Sequence, residues 1–259
     1  MRINLYIFIC ILVFYIKYPS FSQDGNTTPT FQDQFAKKSG NLRMSSSKFD
    51  LGRIKNNETR NDTIRLYNSG RLPMNITMPL KMPLYLKVII KGSPLQAGGE
   101  GYIALFYDAS KKNDFGFVLD RIQLNTDDIN LPQKYFTVTA NIEEFFPLTA
   151  ISDTMKIKTR IPEMSFTYGK LRQGEKASHD FKIYNNGSKT LIIRKIKTNN
   201  VCLKASFSKK EITPGDSAII HAEFDSSGKQ GKDSRIFSLY INNPDMPEVK
   251  FEMNGEVIR

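Results

Sequence analysis

Apolar and polar residues alternate with a period of two through most of the chain after residue 47. Within residues 178–184, for example, Phe181 and Ile183 alternate with Asp180 and Lys182. Successive side chains of a β-strand point to opposite faces, so this period predicts strands and not helices, whose period is 3.6. About seven such runs, each four to eight residues long, recur within about 95 residues.

Turn-forming residues separate these runs at short, regular intervals. Asparagine and glycine tolerate a positive φ, and proline fixes φ near −65°, so all three favour turns. Short strands divided in this way are typical of an immunoglobulin-like sandwich. A β-barrel is the alternative, because strand pairing is not readable from the pattern. The turns of the second half are 185–187, 214–216 and 242–245.

The chain repeats itself once. At first the offset between the copies is 117 residues, and later it becomes 115, which a two-residue deletion within the unit explains. Identities at so constant an offset predict an internal duplication. The pairs at the first offset are Phe49 and Phe166, Gly52 and Gly169, Glu58 and Glu175, Tyr67 and Tyr184, Asn68 and Asn185, and Gly70 and Gly187. Those at the second are Leu124 and Leu239, Pro132 and Pro247, and Phe136 and Phe251.

The N-terminus has the pattern of a secretory signal peptide. Arg2 precedes 12 consecutive apolar residues, 5–16, and Ser20 and Ser22 stand at the −3 and −1 positions of a cut before Gln23. The apolar run is short for a bilayer span, although an uncleaved anchor is the alternative. We therefore expect an exported protein, located in the periplasm or on the cell surface, whose membrane association is at most peripheral.

These observations predict an all-β protein of two tandem immunoglobulin-like β-sandwich domains after an N-terminal signal peptide. In the connector, Phe145 and Phe146 are too apolar for a free linker, so we expect them to pack at the domain interface. The predicted segments are a signal peptide 1–22, a flexible polar lead-in 23–47, domain 1 at 48–142, a connector 143–162 and domain 2 at 163–259.

The chain is basic, with 37 Lys and Arg against 26 Asp and Glu, a formal charge of +11. Such a charge either attracts an anionic partner or only keeps the protein soluble. The basic residues are scattered in ones and twos and form no stripe interleaved with aromatics, so we expect no nucleic-acid partner. An anionic glycan remains open as a ligand.

The chemistry-bearing residues are few. Cleavage of the leader removes Cys10, so Cys202 has no intramolecular disulfide partner and is expected to be a buried, inert thiol. His179 and Asp180 are neighbours on a predicted strand, so their side chains point to opposite faces. The acidic pairs Asp127-Asp128 and Glu143-Glu144 are expected to be solvated at a turn and at the connector. The sequence therefore predicts no catalytic, cofactor-binding or metal site, and no enzyme.

The turn and core residues of the second copy carry a family resemblance. The elements are Phe166-x-Tyr168-Gly169-x-Leu171, Phe181-Lys-Ile183-Tyr184-Asn185-Asn186-Gly187, Ile212-Thr-Pro214-Gly215-Asp216 and Asn242-Asn243-Pro244. In these the chain resembles the family named domain of unknown function 1573, frequent in exported proteins of the Bacteroidota. The resemblance covers residues 48–259, loosely in the first copy. It implies immunoglobulin-like domains related to the hydin type, which serve mostly in assembly. Where members often carry Cys-Gly-Cys-Thr, this chain has Asn200-Val201-Cys202-Leu203.

Three functions are consistent with these patterns. The leading hypothesis is an exported, non-catalytic structural or protein-binding module of the bacterial cell envelope, which binds an envelope protein through an exposed edge strand. A periplasmic chaperone-like protein that binds subunit strands is the first alternative, with Lys156, Lys158 and Arg160 near the connector available to hold a carboxylate. The second alternative is a basic polysaccharide-binding protein.

Overall fold

The computed structural model describes residues 34–79, 81–148, 157–198 and 200–259, and its regular structure is almost entirely β-strand. The predicted signal peptide and residues 23–33 lie outside the described residues. No helix within the described residues is long and apolar enough to cross a membrane.

The first unit packs two sheets face to face, with strand orders β1-β2-β4-β7-β6 and β3-β9-β8-β5. The alternating apolar residues point between the sheets, where Phe49, Leu66, Leu105 and Phe136 are buried in one core. The short helix α1 lies between β7 and β8. The elements are β1 Lys37–Ser39, β2 Leu42–Met44, β3 Lys48–Lys55, β4 Thr59–Asn68, β5 Ile76–Thr77, β6 Leu86–Lys91, β7 Glu100–Asp108, α1 Ala109–Lys112, β8 Gly116–Thr126 and β9 Gln133–Glu143.

The second unit repeats this plan with the sheets β10-β12-β16-β14 and β11-β18-β17-β13-β15. Its core is separate and includes Phe181, Phe237 and Phe251, whose rings contact one another. The strands are β10 Thr159–Arg160, β11 Ser165–Arg172, β12 Lys176–Asn185, β13 Leu191–Thr198, β14 Leu203–Phe207, β15 Glu211–Ile212, β16 Ser217–Asp225, β17 Gly231–Ile241 and β18 Glu248–Ile258.

The predicted fold class, an all-β protein of two tandem immunoglobulin-like sandwiches, is confirmed. Each unit consists of two open sheets, so the barrel alternative is wrong. In each unit the strand that opens the repeat pairs in parallel with the last strand, β3 with β9 and β11 with β18. Both pairings shift register at a glycine with positive φ, Gly52 and Gly169, which explains why this residue recurs in the repeat.

The predicted flexible lead-in is wrong for residues 37–44. These residues form the hairpin β1–β2, and β2 pairs with β4. Leu42 and Met44 are buried in the first core, and Arg43 between them is half-buried. The polar composition of residues 23–47 concealed this short alternation, so the first unit begins before residue 48.

The change of offset between the copies falls in one turn. Strands β3 to β7 lie 117 residues before their counterparts, and β8 and β9 lie 115 residues before theirs. The two extra residues therefore belong to the β7–β8 turn, residues 109–115, whose counterpart is the turn 226–230. This longer turn makes the contacts with the second unit that are described next.

Candidate functional site

The β7–β8 turn joins the two units through one carboxylate and one ring. Asp114 accepts from Lys195 Nζ at 2.7 Å and from Lys197 Nζ at 3.0 Å, and both lysines lie on β13. The ring of Phe115 stacks on Tyr240 with centroids 6.0 Å apart. The turn thus fastens the first unit to one sheet of the second.

The charges at this contact persist at neutral pH. Burial raises the pKa of Asp114, but the hydrogen bonds from Lys195 and Lys197 outweigh burial and lower it. Burial also lowers the pKa of Lys197, only partly offset by Asp114. Burial and the nearby Glu248 raise the pKa of the Tyr240 hydroxyl to about 12. The carboxylate is therefore ionised and the phenol neutral under physiological conditions.

The connector adds a second clamp. Arg194 holds the Glu144 carboxylate with two nitrogens, at 2.7 Å from Nη2 and 3.1 Å from Nε. Phe146 lines a cavity of about 220 Å³ between the units together with Phe115, Tyr240 and Pro244. Of the two aromatics expected at the interface, Phe146 is placed there and Phe145 is exposed.

Two of the four paired acidic residues, Asp128 and Glu144, are not the solvated charges that the sequence predicts. Glu144 belongs to the interface, and Glu143 pairs with Lys55 at 2.8 Å. Asp128 is buried against Lys134, at 2.6 Å, and also accepts from the backbone N–H of Asn41. Asp128 and Glu144 have buried side chains and depend on their partners, so the prediction is wrong for these two, whereas Glu143 keeps about a third of its side chain exposed and Asp127 is exposed.

The chemistry-bearing residues of the second unit are dispersed. His179 stacks on Phe166 at 4.0 Å and its Nε2 lies 3.0 Å from Glu163. Asp180 points to the opposite face, as expected, and contacts His221 Nδ1 at 2.6 Å. Within the part of the chain that the structure describes, no group of three or more His, Cys, Asp or Glu is placed to hold a metal ion.

Cys202 is half-buried and not fully buried as predicted. Its Sγ donates to Asn200 Oδ1 at 2.9 Å. Two of the basic residues near the connector have separate contacts. Arg160 lies 4.0 Å from the ring centroid of Tyr184, while the backbone carbonyl of Lys158 accepts from Asn186. Lys156 lies outside the described residues.

The strand β8 has an open edge. It pairs with β9 along its length, whereas β5 pairs only with its last two residues, Asn125 and Thr126. The bond from Thr126 N–H to the Pro132 carbonyl sets the alternation, so the backbone groups of residues 117, 119, 121 and 123 point away from β9. Among the described residues, no strand pairs with residues 117–124 on that side.

Two prolines explain why β5 ends so early. After Thr77 the chain continues with Met78-Pro79, and Pro83 follows four residues later. Proline has no N–H to give to a neighbouring strand, so the segment leaves the sheet. In the second unit, β13 has no proline and pairs with β17 at residues 237–241. The first unit has lost most of this edge strand.

The outer face beside the open edge is apolar. Phe117 is 63% exposed and Leu119 58% exposed, and Tyr135 on β9 lies under the guanidinium of Arg121, at 3.9 Å from its ring centroid. The second unit has polar residues at the positions equivalent to the three apolar ones, namely Lys232, Ser234 and Lys250. An exposed apolar cluster in one copy alone indicates a surface that is adapted to contact.

The inner side of the same edge is closed by a polar cluster. Asp120 on β8 accepts from Lys112 at 2.6 Å and from the Tyr85 hydroxyl at 2.8 Å. Burial lowers the pKa of Lys112, but the hydrogen bonds to Asp120 and Tyr85 outweigh burial and raise it. Lys112 is therefore protonated and paired at neutral pH, which suits a structural plug and not a nucleophile.

The equivalent edge of the second unit has more polar side chains. Residues 231–236 of β17 also have no partner strand on that side within the described residues, but Asp233 and Arg235 form an ion pair there. Both edges thus have an inward ion pair, since β8 has Asp120–Lys112, and they differ in their outward side chains, which are Lys232 and Ser234 here and Phe117 and Leu119 at β8. The β8 edge has Val118 where the second unit has Asp233.

The sequence predicts an exposed edge strand but does not locate it. Two signals were present: the prolines after Thr77, and the apolar residues Phe117 and Leu119 at positions that are polar in the other copy. Both signals become informative only when the two copies are compared position by position.

Comparison with known proteins finds a family model that matches the second unit and a solved structure with a similar fold over 84% of the chain. Residues 159–257 match the family described as protein of unknown function (DUF1573). The crystal structure of a protein of unknown function from Porphyromonas gingivalis W83 is similar, with a TM-score of 0.59 and 17% identity; the match covers 84% of this chain and 100% of that one. That likeness shows a shared fold.

Two other structures are more distant. The PapD-like domain 7 of human CEP192 has a TM-score of 0.32 and 12% identity, covering 40% of this chain and 87% of that one. The YadV chaperone has a TM-score of 0.31 and 13% identity, covering 83% of this chain and 99% of that one. Neither bears on function. No curated protein matches the chain significantly in sequence.

Proposed function

We propose that this chain is an exported, non-catalytic protein-binding module of a bacterial cell envelope, which holds a partner at the open edge of β8. The observation that carries the proposal is the coincidence of an unpaired strand edge with the exposed side chains Phe117 and Leu119. An edge strand with unpaired backbone groups accepts a partner strand readily. The signal-peptide pattern of residues 1–22 supports export.

We further infer that the first unit is a diverged copy of the same family as the second. Its strands follow the same order and offsets, and its repeated glycine and asparagine have the same structural roles. Divergence is concentrated in the turn that contacts the second unit and in the strand that β5 has lost. The two copies therefore have different duties, with binding assigned to the first.

The pairing of titratable side chains with one another supports a non-catalytic role. The polar cluster beside the edge is internally satisfied, since Lys112, Asp120 and Tyr85 bond to one another. The histidines of the second unit are likewise each paired with a carboxylate, Glu163 or Asp180. Within the described residues, none of these pairs is hydrogen-bonded to a serine, threonine or cysteine side chain that it could activate as a nucleophile, which supports a non-catalytic role.

The test is site-specific crosslinking in the native host. A photoreactive amino acid replaces Leu119 in the tagged full-length protein, and the matched control carries it at Ser234, the equivalent position of the second unit. We expect one dominant envelope protein to be crosslinked from position 119 and not from 234. A broad set of unfolded precursors would replace the proposal with the chaperone alternative. Equal products from both positions, or no protein product, would overturn it.

A further inference from the structure

We propose that the β8 edge takes a short extended segment with alternating apolar residues and one carboxylate, added as a further strand beside β8. This inference rests on the proposed function and specifies the chemistry of the partner. It is drawn from three properties of the edge: its backbone, its outward side chains and its charge.

The backbone limits the length of the segment. At one end, Lys197 Nζ donates to the Phe117 carbonyl at 3.0 Å, and at the other end β5 begins to pair at Asn125. Between these limits lie residues 118–124, whose outward groups are those of residues 119, 121 and 123. A strand rises about 3.3 Å per residue, so the open interval of about 20 Å accepts a segment of about six residues.

The outward side chains set the apolar part of the pattern. Phe117 and Leu119 project from alternate positions on one face, so a strand laid beside them presents apolar residues at alternate positions. On the inner face, the added strand would lie beside the closed cluster of Asp120, Lys112 and Tyr85. Small or polar residues suit that side, because the cluster leaves no apolar core to fill. The result is an alternating segment, apolar on one face only.

The positive charge of Arg121 specifies where the added segment has its carboxylate. Arg121 follows Leu119 on the same face and is exposed, with its guanidinium held over Tyr135. Within the described residues, the guanidinium contacts this ring and no carboxylate. A partner carboxylate opposite Arg121 would complete a charge-assisted hydrogen bond. The guanidinium is already oriented by the ring, so pairing costs less conformational entropy than for a free side chain.

The charge of the whole chain argues against a second copy as the occupant. The predicted leader contains Arg2 and Lys17 and no acidic residue, so the mature chain has a formal charge of +9; two copies repel each other, whereas a segment carrying a carboxylate is attracted. Pairing of two β8 edges centred on residue 120 would also set Asp120 opposite itself, and like charges directly opposite are destabilising. The edge therefore fits a different protein with an acidic, extended segment.

The test measures binding of synthetic peptides to the mature full-length protein by fluorescence anisotropy. The probe is an eight-residue peptide of alternating valine and threonine with one glutamate, and the matched probe carries lysine in place of the glutamate. We expect the acidic peptide to bind at least about tenfold more tightly than the basic one. Hydrogen exchange should show new protection at residues 119, 121 and 123.

Three variants separate the contributions. Leu119→Lys should weaken the acidic peptide by about tenfold or more, because it places a charge on the apolar face. Ser234→Lys, the equivalent change in the second unit, should leave binding unchanged. Arg121→Glu should reverse the preference so that the basic peptide binds better, a result that a misfolded protein cannot produce.

The proposal is overturned if the two peptides bind equally, if Leu119→Lys binds like the wild type, or if protection appears elsewhere. It is also overturned if the wild type sediments as a dimer that Leu119→Lys converts to a monomer, which would make a second copy the occupant. An envelope partner crosslinked from position 119 without peptide preference would leave the proposed function standing and remove only the acidic-segment inference.

Discussion

Asn68 and Asn185 occupy the same position in the two sandwiches and make the same three hydrogen bonds. Each is fully buried at the end of a central strand. Asn68 Nδ2 donates to the carbonyls of Leu72 and Leu95, at 2.7 and 2.9 Å, and its Oδ1 accepts from Gly70 N–H at 2.9 Å. The bonds of Asn185, to Lys189, Ile212 and Gly187, measure 2.8, 2.8 and 3.0 Å.

Removal of this amide should destabilise the unit that contains it. Asn185→Ala leaves the buried Ile212 carbonyl and two partly buried groups, the Lys189 carbonyl and the Gly187 N–H, without this partner, and an unsatisfied buried polar group costs about 1–3 kcal/mol. We expect the free energy of unfolding of the second unit to fall by about 3 kcal/mol. Urea unfolding measures the loss. The control is Asn186→Ala, since Asn186 is exposed; an equal effect of the two changes would contradict the role of the buried amide.

The buried ion pair of the first unit should be sensitive to the loss of one partner. Lys134→Met leaves the Asp128 carboxylate buried without its ammonium, which costs about 3–5 kcal/mol. In the control, Lys48→Met breaks an exposed pair with Asp50 and should cost less than about 1 kcal/mol. Chemical denaturation compares the two. Similar losses would mean that the Asp128–Lys134 pair is not isolated from solvent.

The same carboxylate should contribute to acid unfolding. Burial raises the pKa of Asp128, but the hydrogen bonds from Lys134 and from the N–H groups of Asn41 and Asn130 outweigh burial and lower it. A lowered folded-state pKa stabilises the protein above the unfolded value of about 3.9 and loses that stability as pH falls through the folded-state pKa. We therefore expect stability to decline below about pH 4.

A neutral double variant tests this pH dependence. Asp128→Asn combined with Lys134→Met removes both charges, so the free energy of unfolding should fall less steeply with acid than in the wild type. The exposed neighbour supplies the control, Asp127→Asn. An acid limb equally steep in the wild type and the double variant would assign acid unfolding to other carboxylates.

Two equivalent glycines separate backbone strain from contact between the units. Gly116 and Gly231 open β8 and β17 with φ of +68° and +81°. A Cβ at Gly116 would collide with the Tyr240 hydroxyl, whereas a Cβ at Gly231 would meet nothing within 4 Å. Alanine at either position should cost about 1–2 kcal/mol in backbone strain. Gly116→Ala should in addition loosen the two units.

Small-angle X-ray scattering measures whether the two units loosen. We expect a larger radius of gyration for Gly116→Ala and an unchanged one for Gly231→Ala, because only the first substitution displaces the Phe115–Tyr240 stack. If both variants scatter like the wild type, the turn does not hold the units in place.

The sequence predicts the architecture more completely than it predicts the candidate site. The period-two alternation and the constant offset were sufficient for two sandwiches, since both depend on local pleat and repeated core positions. The sequence pattern predicts too late a start for the first unit, because Leu42 and Met44 are only two apolar residues in a polar stretch. Burial of Asp128 and Glu144 depends on partners 6 and 50 residues away, and a list of charges does not contain that information.

The longer β7–β8 turn makes the contact between the two copies asymmetric. Only the first copy has the two extra residues that place Asp114 and Phe115 against its successor, and the corresponding turn of the second copy, 226–230, is too short to repeat the contact. The contact between the units is therefore asymmetric, because its turn comes from the first copy and the sheet with Lys195, Lys197 and Tyr240 comes from the second.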